Sequence, residues 1–200
     1  MAKYTGYVTI PIGSYANFKA AVNGNGYDAD GSFGCQCWDL AAEFWWNVGF
    51  PQGYPTLTNG NAYTMWSVPA NRLANSSYGG TTYFDLIVNL QDVQLGDVMV
   101  FNYTTGNPYG HVGFADVDYN NWTPDPNAPY EYPILSENNG GTPDPDGGAY
   151  TNIHGYDSRL FIGAFRFRAW HTTPPTPTIQ KSHFKWILYA RKLRDKRSGL

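Results

Sequence analysis

The chain has 200 residues and a formal net charge of −3, a length that fits one globular domain or one domain with a short extension. Hydrophobic residues make up 42% of it, which supports a packed core and excludes wholesale disorder. Aromatic residues reach 17% and charged residues only 14%, and Gly and Pro are abundant, so we expect a strand-rich and turn-rich protein. No apolar stretch is long enough to predict a membrane-spanning helix.

The two cysteines of the chain, Cys35 and Cys37, lie two residues apart. A disulfide between them would close a very small, strained ring, and a single bridge would support a chain of this length only weakly. Two cysteines are also too few for a structural zinc site without histidine ligands. We therefore expect no structural disulfide and predict that at least one thiol has a chemical role.

The loop before the first predicted helix, residues 28–39, has the spacing of a calcium-binding loop. Aligned with an EF-hand loop, its predicted calcium ligands are Asp28, Asp30, Ser32, Gly34 (through its carbonyl) and Asp39. Such oxygen ligands suit calcium, so we expect a structural or regulatory calcium ion here. The loop departs from the EF-hand pattern in having Phe33 where glycine is usual and Asp, not Glu, at its end. A turn with solvated aspartates, in which Asp39 only starts the helix, is the alternative.

A helix is predicted directly after Cys37. Apolar residues recur there with the period of one helix face, at Leu40, Ala41, Phe44, Trp45 and Val48. Gly and Pro at 49 and 51 end the pattern. Because a helix N-terminus stabilises a thiolate, Cys37 is the favoured nucleophile, and Cys35 in the preceding loop lacks this advantage. Residue type alone leaves an inert cysteine open as the alternative.

Strands dominate the rest of the chain after residues 52–84, which are predicted to form loops with one short helix around 63–74. The predicted strands are 98–101, 111–117, 132–136 and 160–168. One helix followed by an antiparallel sheet indicates an α+β domain. The Asp-rich segment 142–148 lacks the spacing of a metal site, so we expect it to be a solvated loop.

His111 is the preferred catalytic base because it opens a predicted strand directly after a turn. A base that must reach a thiolate is better held by a rigid strand than by a mobile loop, which disfavours His154 in its predicted loop. His171 beside a Pro-rich segment and His183 in a basic tail are poorer candidates. A structural, half-buried histidine at a strand edge is the alternative for His111.

A third polar group should orient the imidazole of the base by accepting its other N–H. Glu137 and Asn139 follow the predicted strand 132–136 and, being two residues apart, point to the same side. Either residue is a candidate for this role, and the other is a candidate to hold the geometry of the site.

Four motifs, taken in order over roughly residues 5–170, resemble the CHAP domain, the cysteine, histidine-dependent amidohydrolases/peptidases of bacteriophage endolysins and bacterial autolysins. They are Gln-Cys-Trp-Asp-Leu at 36–40, Gly-Asp at 96–97, Gly-His-Val-Gly at 110–113 and Glu-x-Asn at 137–139. The resemblance implies a papain-like (NlpC/P60-type) α+β fold in which an N-terminal helix carries the nucleophile and packs on an antiparallel sheet. It also implies that Cys37 is the nucleophile and His111 the general base, and that Glu137 and Asn139 complete the catalytic constellation. Some CHAP endolysins are similar in binding calcium just before the cysteine.

The same resemblance implies a peptidoglycan hydrolase that cleaves amide bonds in the peptide part of the Gram-positive cell wall. The enzyme would be either an N-acetylmuramoyl-L-alanine amidase or a peptidoglycan endopeptidase. It is expected to be a monomer without a specific nucleic-acid partner. Because the N-terminus lacks a signal-type apolar region, we expect it in the host cytoplasm until it is released to the wall at lysis. A papain-like peptidase acting on proteins and a non-catalytic wall-binding or virion structural module are the alternatives.

The chain is expected to divide into a catalytic domain over 1–171, a Pro-rich linker over 172–180 and a basic tail over 181–200. The tail has seven basic residues and one acidic residue, whereas the rest of the chain is acidic. One interpretation is a targeting element for anionic wall polymers, membrane lipid or, nonspecifically, nucleic acid. The other is a terminal element that docks on the domain and has a solvated basic end.

Overall fold

The structure is a computed structural model that describes residues 1–137 and 142–171. Asn139, the linker 172–180 and the tail 181–200 lie outside the described residues, so the predictions made for them stay predictions. Within the two described ranges, no helix is both long and apolar enough to cross a membrane.

The described residues form five α-helices and ten β-strands. The helices are α1 (Tyr15–Val22), α2 (Cys37–Val48), α3 (Thr64–Ser67), α4 (Pro69–Ser76) and α5 (Arg168–His171). The strands are β1 (Lys3–Thr5), β2 (Gly26–Asp28), β3 (Ser77–Tyr78), β4 (Thr81–Thr82), β5 (Phe84–Ile87), β6 (Val98–Phe101), β7 (His111–Ala115), β8 (Glu131–Ser136), β9 (Asn152–Asp157) and β10 (Phe161–Phe167).

Six strands form one antiparallel sheet in the order β5–β10–β6–β7–β8–β9. Strand β10 lies inside this sheet, between β5 and β6, although it is the last strand of the described chain. Strands β1 and β2 pair in parallel and form a separate two-stranded sheet. The sheet and the helix α2 packed on it confirm the predicted α+β fold.

Helix α2 builds the larger core against one face of the sheet. Phe44 meets Phe114 of β7 edge-on, with 5.2 Å between ring centroids, and Trp45 stacks on Phe84 of β5 at 4.5 Å. All four rings are buried, and each such side chain contributes about 1.5–3 kcal/mol to stability. Gly49, in the left-handed conformation at φ 112°, ends the helix. This packing fixes the first residue of α2 relative to β7.

The structure confirms the four predicted strands, whose ends differ from the prediction by at most two residues. The helix predicted around 63–74 is present as two short helices, α3 and α4. The prediction that His154 lies in a loop is wrong, because His154 belongs to β9, which pairs with β8. Asn, His, Gly and Asp are poor strand formers, so here pairing with a neighbouring strand overrides local preference.

A buried carboxyl on α2 gives a prediction for the pH dependence of stability. Glu43 is fully buried, and burial raises its pKa to about 7, although the carboxylate accepts the backbone amide of Val8 at 3.0 Å. A raised pKa means that the contribution of Glu43 to stability is full below its unfolded pKa and is lost as the pH rises through about 7.

We therefore expect the stability difference between Glu43→Gln and wild type to change with pH. As the pH rises from about 4 to about 8, the variant should gain about 3 kcal/mol relative to the wild type. Glutamine keeps an acceptor for the Val8 amide but cannot ionise. Urea unfolding at several pH values measures the effect. A constant difference between the two proteins at every pH would contradict the prediction.

Candidate active site

Cys37 is the first residue of α2 and lines a cavity of about 750 Å³ together with His111, the first residue of β7. Trp38, Tyr109 and Tyr156 also line this cavity. The structure therefore brings the predicted nucleophile and the predicted base to one site. The packing of α2 against β7 is what holds the two elements together.

The start of α2 is tied to the loop before it by Asp39. One carboxylate oxygen of Asp39 accepts the backbone amide of Gln36 at 2.9 Å, and the other accepts the amide of Ala29 at 3.0 Å. The first bond is one half of a capping box, which satisfies an amide that the helix itself leaves unpaired. The position of Cys37 therefore depends on the loop as well as on the helix.

His111 is almost completely buried, and its ring is held from two sides. The ring stacks on Tyr156 of β9, with 4.5 Å between centroids and an interplanar angle of 12°. Its Nε2 makes a 2.8 Å hydrogen bond with the hydroxyl of Ser136 on β8. Nδ1 is therefore the ring nitrogen that is left to accept a proton.

Burial disfavours charge on both members of the pair. It raises the pKa of the Cys37 thiol to about 12, against the opposing effect of a hydrogen bond from the backbone of Val112. It lowers the pKa of His111 to about 3, and the nearby His154 lowers this pKa further. The resting site therefore holds a neutral thiol and a neutral imidazole.

Of the two roles predicted for Glu137, orienting the base or holding the geometry of the site, its hydrogen bonds fit the second. The residue is fully buried, and one carboxylate oxygen accepts the backbone amide of Tyr27 at 2.7 Å and the hydroxyl of Thr151 at 3.3 Å. Burial raises its pKa well above the usual range. Successive residues of a strand point to opposite faces, so Ser136 meets the His111 ring and Glu137 points towards β2. Asn139, the other candidate, lies outside the described residues.

Three of the five predicted calcium ligands converge. Ligand oxygens of Asp28, Asp30 and Asp39 all lie within 4.8 Å of one another. Asp28 is 5% exposed, and its Oδ1 has no hydrogen-bond partner in the described part of the chain. Burial, followed by the charges of Asp30 and Asp28, raises the pKa of Asp39 to about 8. Three close carboxylates with an unpartnered buried oxygen fit a hard divalent cation.

The other two predicted ligands lie in the same loop. Ser32 donates its backbone amide to Asp30 at 2.8 Å. Gly34 has a positive φ of 72°, and a Cβ there would lie 2.3 Å from the carbonyl oxygen of Gly147. Position 34 therefore requires glycine, because the backbone at Gly147 packs directly against it.

Most of the segment 142–148 is exposed, as predicted for a solvated loop, but one of its aspartates is buried. Asp144 is 5% exposed and accepts the backbone amide of Cys35 at 2.9 Å. Lys3 of β1 lies 3.0 Å from Asp144, 2.6 Å from Asp146 and 3.6 Å from Asp28. Burial raises the pKa of Asp144, but the bonds from Cys35 and Lys3 outweigh it and bring that pKa to about 2. The segment packs on the loop that precedes the nucleophile because these partners compensate for burying its charge.

The sequence analysis did not single out Ser136, Lys3 or Asp144, and it set His154 aside as a loop residue. Strand alternation was a usable signal for Ser136, because residues 136 and 137 must point to opposite faces. No local pattern marks Lys3 or Asp144, which are joined only by the fold.

Comparison with known proteins agrees with this arrangement. The CHAP domain family matches residues 23–123. The chain is 39% identical over 109 residues to the D-alanyl-L-alanine endopeptidase of Streptococcus phage B30, covering 54% of this chain and 22% of that protein. It is 33% identical over 123 residues to endolysin PlyTW of Staphylococcus phage Twort (strain DSM 17442 / HER 48), covering 60% of this chain and 22% of that protein. The match thus spans about a fifth of the length of each curated relative.

The crystal structure of wild-type endolysin LysIME-EF1 has the same fold, with a TM-score of 0.52 and 21% sequence identity over 79% of this chain and 64% of that one. The family match covers half of the chain and includes Cys37, His111 and the three converging aspartates. Motifs, fold and family match therefore agree, and the chain belongs to the CHAP domain family.

Proposed function

We propose that this chain is the catalytic domain of a bacteriophage endolysin, a peptidoglycan hydrolase that cleaves amide bonds in the peptide part of the cell wall. The observation that carries the proposal is the shared cavity of Cys37, at a helix N-terminus, and His111, at a strand start. The named activities of the phage relatives support it. Its setting would be the wall of a Gram-positive host, reached when the cell is lysed.

The proposed mechanism uses a thiol that is activated as it attacks. Because both groups are neutral at rest, His111 takes the thiol proton at Nδ1 while the Cys37 sulfur attacks the carbonyl carbon of the scissile amide. The backbone amide of Cys37 is a donor for the resulting oxyanion. The protonated His111 then gives its proton to the leaving amine, and an acyl-enzyme remains. His111 next deprotonates a water molecule that hydrolyses this thioester and regenerates the thiol.

Of the two bond types that the sequence left open, we propose endopeptidase cleavage between D-alanine and L-alanine. The relative with 39% identity is a D-alanyl-L-alanine endopeptidase. Two exposed aromatic side chains, Phe33 and Tyr109, line the cavity and offer apolar contact area to a peptide. Amidase cleavage next to muramic acid is the alternative outcome of the test.

Digestion of purified peptidoglycan whose cross-bridges contain L-alanine tests the proposal. We expect mass spectrometry to find fragments with a new C-terminal D-alanine and a new N-terminal L-alanine. Peptidoglycan with glycine cross-bridges is the matched substrate control, and it should be cleaved much more slowly. Free stem peptides released from muramic acid would instead identify an amidase. Cleavage of casein without cleavage of peptidoglycan would identify a protein peptidase.

We also propose that Asp28, Asp30 and Asp39 bind Ca²⁺, with Ser32 and Gly34 as the further ligands suggested by the loop spacing. The three carboxylates support this proposal through their proximity and the unpartnered Asp28 oxygen. A bound cation would neutralise repulsion among the carboxylates and hold the loop against the start of α2. It would take no part in the chemistry of the thiol.

A further inference from the structure

Three neighbouring strands carry a chain of hydrogen bonds behind the catalytic cavity. His111 opens β7, Ser136 ends β8 and His154 lies on β9. The Ser136 hydroxyl is 2.8 Å from His111 Nε2 and 3.1 Å from His154 Nε2. Ser136 is fully buried, and neither it nor His154 lines the cavity. These two residues therefore reach the reaction only through His111.

We propose that Ser136 and His154 are positioning residues that hold the His111 ring in the tautomer able to accept the proton of Cys37. This inference rests on the proposed cysteine mechanism. In the proposed arrangement His111 Nε2–H donates to the Ser136 oxygen, and the Ser136 hydroxyl donates to His154 Nε2. Nδ1 of His111 then carries the free lone pair.

The number of available protons allows these bonds only two directions, and the proposed mechanism selects one of them. Burial lowers the pKa of both His111 and His154, so each imidazole is neutral and carries one N–H. A hydroxyl between two neutral imidazoles can donate to only one of them, and it must accept from the other. The proposed mechanism needs a lone pair at Nδ1 of His111, so the proposal makes Nε2 of His111 the donor and Nε2 of His154 the acceptor. This direction places the N–H of His154 at Nδ1, a buried atom without a hydrogen-bond partner among the described residues.

The surroundings of His111 supply no competing charge within the described residues. The titratable groups that face it are Cys37 from α2 and His154 and Tyr156 from β9, while Phe101 of β6 is apolar. Glu137 bonds to the Tyr27 amide on the other side of the strand. The backbone carbonyl of Glu137, 3.4 Å from the Ser136 oxygen, is a weaker alternative acceptor for the Ser136 hydroxyl. Among the described residues, the Ser136 hydroxyl is the side-chain group that hydrogen-bonds to the His111 ring, a position at which a carboxylate or an amide would also be able to orient a base.

The histidine chain also responds when His111 becomes charged. As His111 accepts the thiol proton, its Nε2–H becomes a stronger donor to Ser136, and the hydroxyl in turn becomes a stronger donor to His154. No proton has to leave the site, since both bonds keep their direction. Removing either partner would leave the imidazolium less stabilised and its ring free to turn.

Nitrogen-15 NMR of histidine-labelled protein tests the inference directly, because the ring shifts report which nitrogen carries the proton. In the wild type we expect His111 protonated at Nε2 and His154 at Nδ1. In Ser136→Ala the tautomer preference of His111 should be lost. We also expect kcat on peptidoglycan fragments to fall by roughly 10- to 100-fold with little change in KM.

His154→Gln provides a second variant at a half-buried position, where folding is less at risk. We expect it to lower kcat, and we expect the double variant with Ser136→Ala to be no slower than Ser136→Ala alone, because the two residues act in series. His171→Gln, on α5 away from the cavity, is the matched control and should leave both kcat and the His111 spectrum unchanged.

Unchanged His111 tautomers and unchanged kcat in Ser136→Ala and His154→Gln would overturn the inference, even if the wild type cleaves peptidoglycan. Additive losses in the double variant would also overturn it, because they would indicate two independent structural defects. The expected tautomers in a wild type that cleaves no peptidoglycan would support the hydrogen-bond chain and reject the proposed function instead.

Discussion

Cys37→Ala is expected to abolish hydrolysis of peptidoglycan, with a loss in kcat of roughly 10⁴-fold or more. The reason is that Cys37 is the only thiol that lines the cavity in the described part of the chain, whereas Cys35 is fully buried. Alanine is compatible with the first turn of α2, so the melting temperature should stay close to that of the wild type. Release of soluble fragments from purified walls measures the activity.

Cys35→Ala is the matched control for this experiment. Its thiol does not line the cavity, so most of the activity should remain, and labelling by iodoacetamide should persist at Cys37. A Cys37→Ala protein that still lyses walls would reject the cysteine mechanism. So would a His111→Ala protein of unchanged activity, because a positioned general base contributes about 10²- to 10⁴-fold.

Removal of calcium is expected to produce the second large effect. Chelation should lower the melting temperature by roughly 5–10 °C and the rate of wall hydrolysis by roughly 100-fold. Without the cation, repulsion among Asp28, Asp30 and Asp39 loosens the loop, and the bond from Asp39 to the Gln36 amide no longer fixes the start of α2. Calcium should restore both properties. Magnesium should not, because it demands a smaller and stricter octahedral site.

Asp28→Asn tests the same site without a chelator. The variant should require more calcium for the same activity, because one carboxylate has been replaced by a weaker ligand. Asp125→Asn, at an exposed carboxylate in a distant loop, is the matched control and should keep the calcium dependence of the wild type. Differential scanning fluorimetry across a calcium titration distinguishes the two. An identical titration curve for Asp28→Asn and wild type would contradict the assignment of this ligand.

The parts of the site that depend on local sequence could be predicted. The apolar period after Cys37 predicted the start of α2, and the turn before His111 predicted the start of β7, so the two residues that share the cavity could be named in advance. Asp28, Asp30 and Asp39 likewise belong to one short segment, so their spacing could be read directly from the sequence. Each of these signals lies within about a dozen residues, where secondary-structure preference and turn chemistry act.

The parts that depend on pairing between distant segments could not be predicted. His154 reaches the site only because β9 joins the edge of the sheet beside β8, and the Asn, Gly and Asp residues of β9 weaken the strand signal of its sequence. Asp144 is buried only because Lys3 and the Cys35 amide compensate for its charge. The role expected for Glu137 could be tested only once the strand direction was known, since one residue of shift exchanges the two faces.

The position of β10 inside the sheet determines when the sheet can be completed during synthesis of the chain. Until Phe161–Phe167 emerge from the ribosome, β5 and β6 lack the neighbour that separates them, and backbone groups of both strands have no partner. In a nascent chain that ends before β10, strand β6 has no neighbour on the side away from β7, the strand that begins with His111. We therefore expect a chain cut before Phe161 to leave this sheet incomplete, so a fusion to another module should be placed after α5 and not at the end of the matched family region.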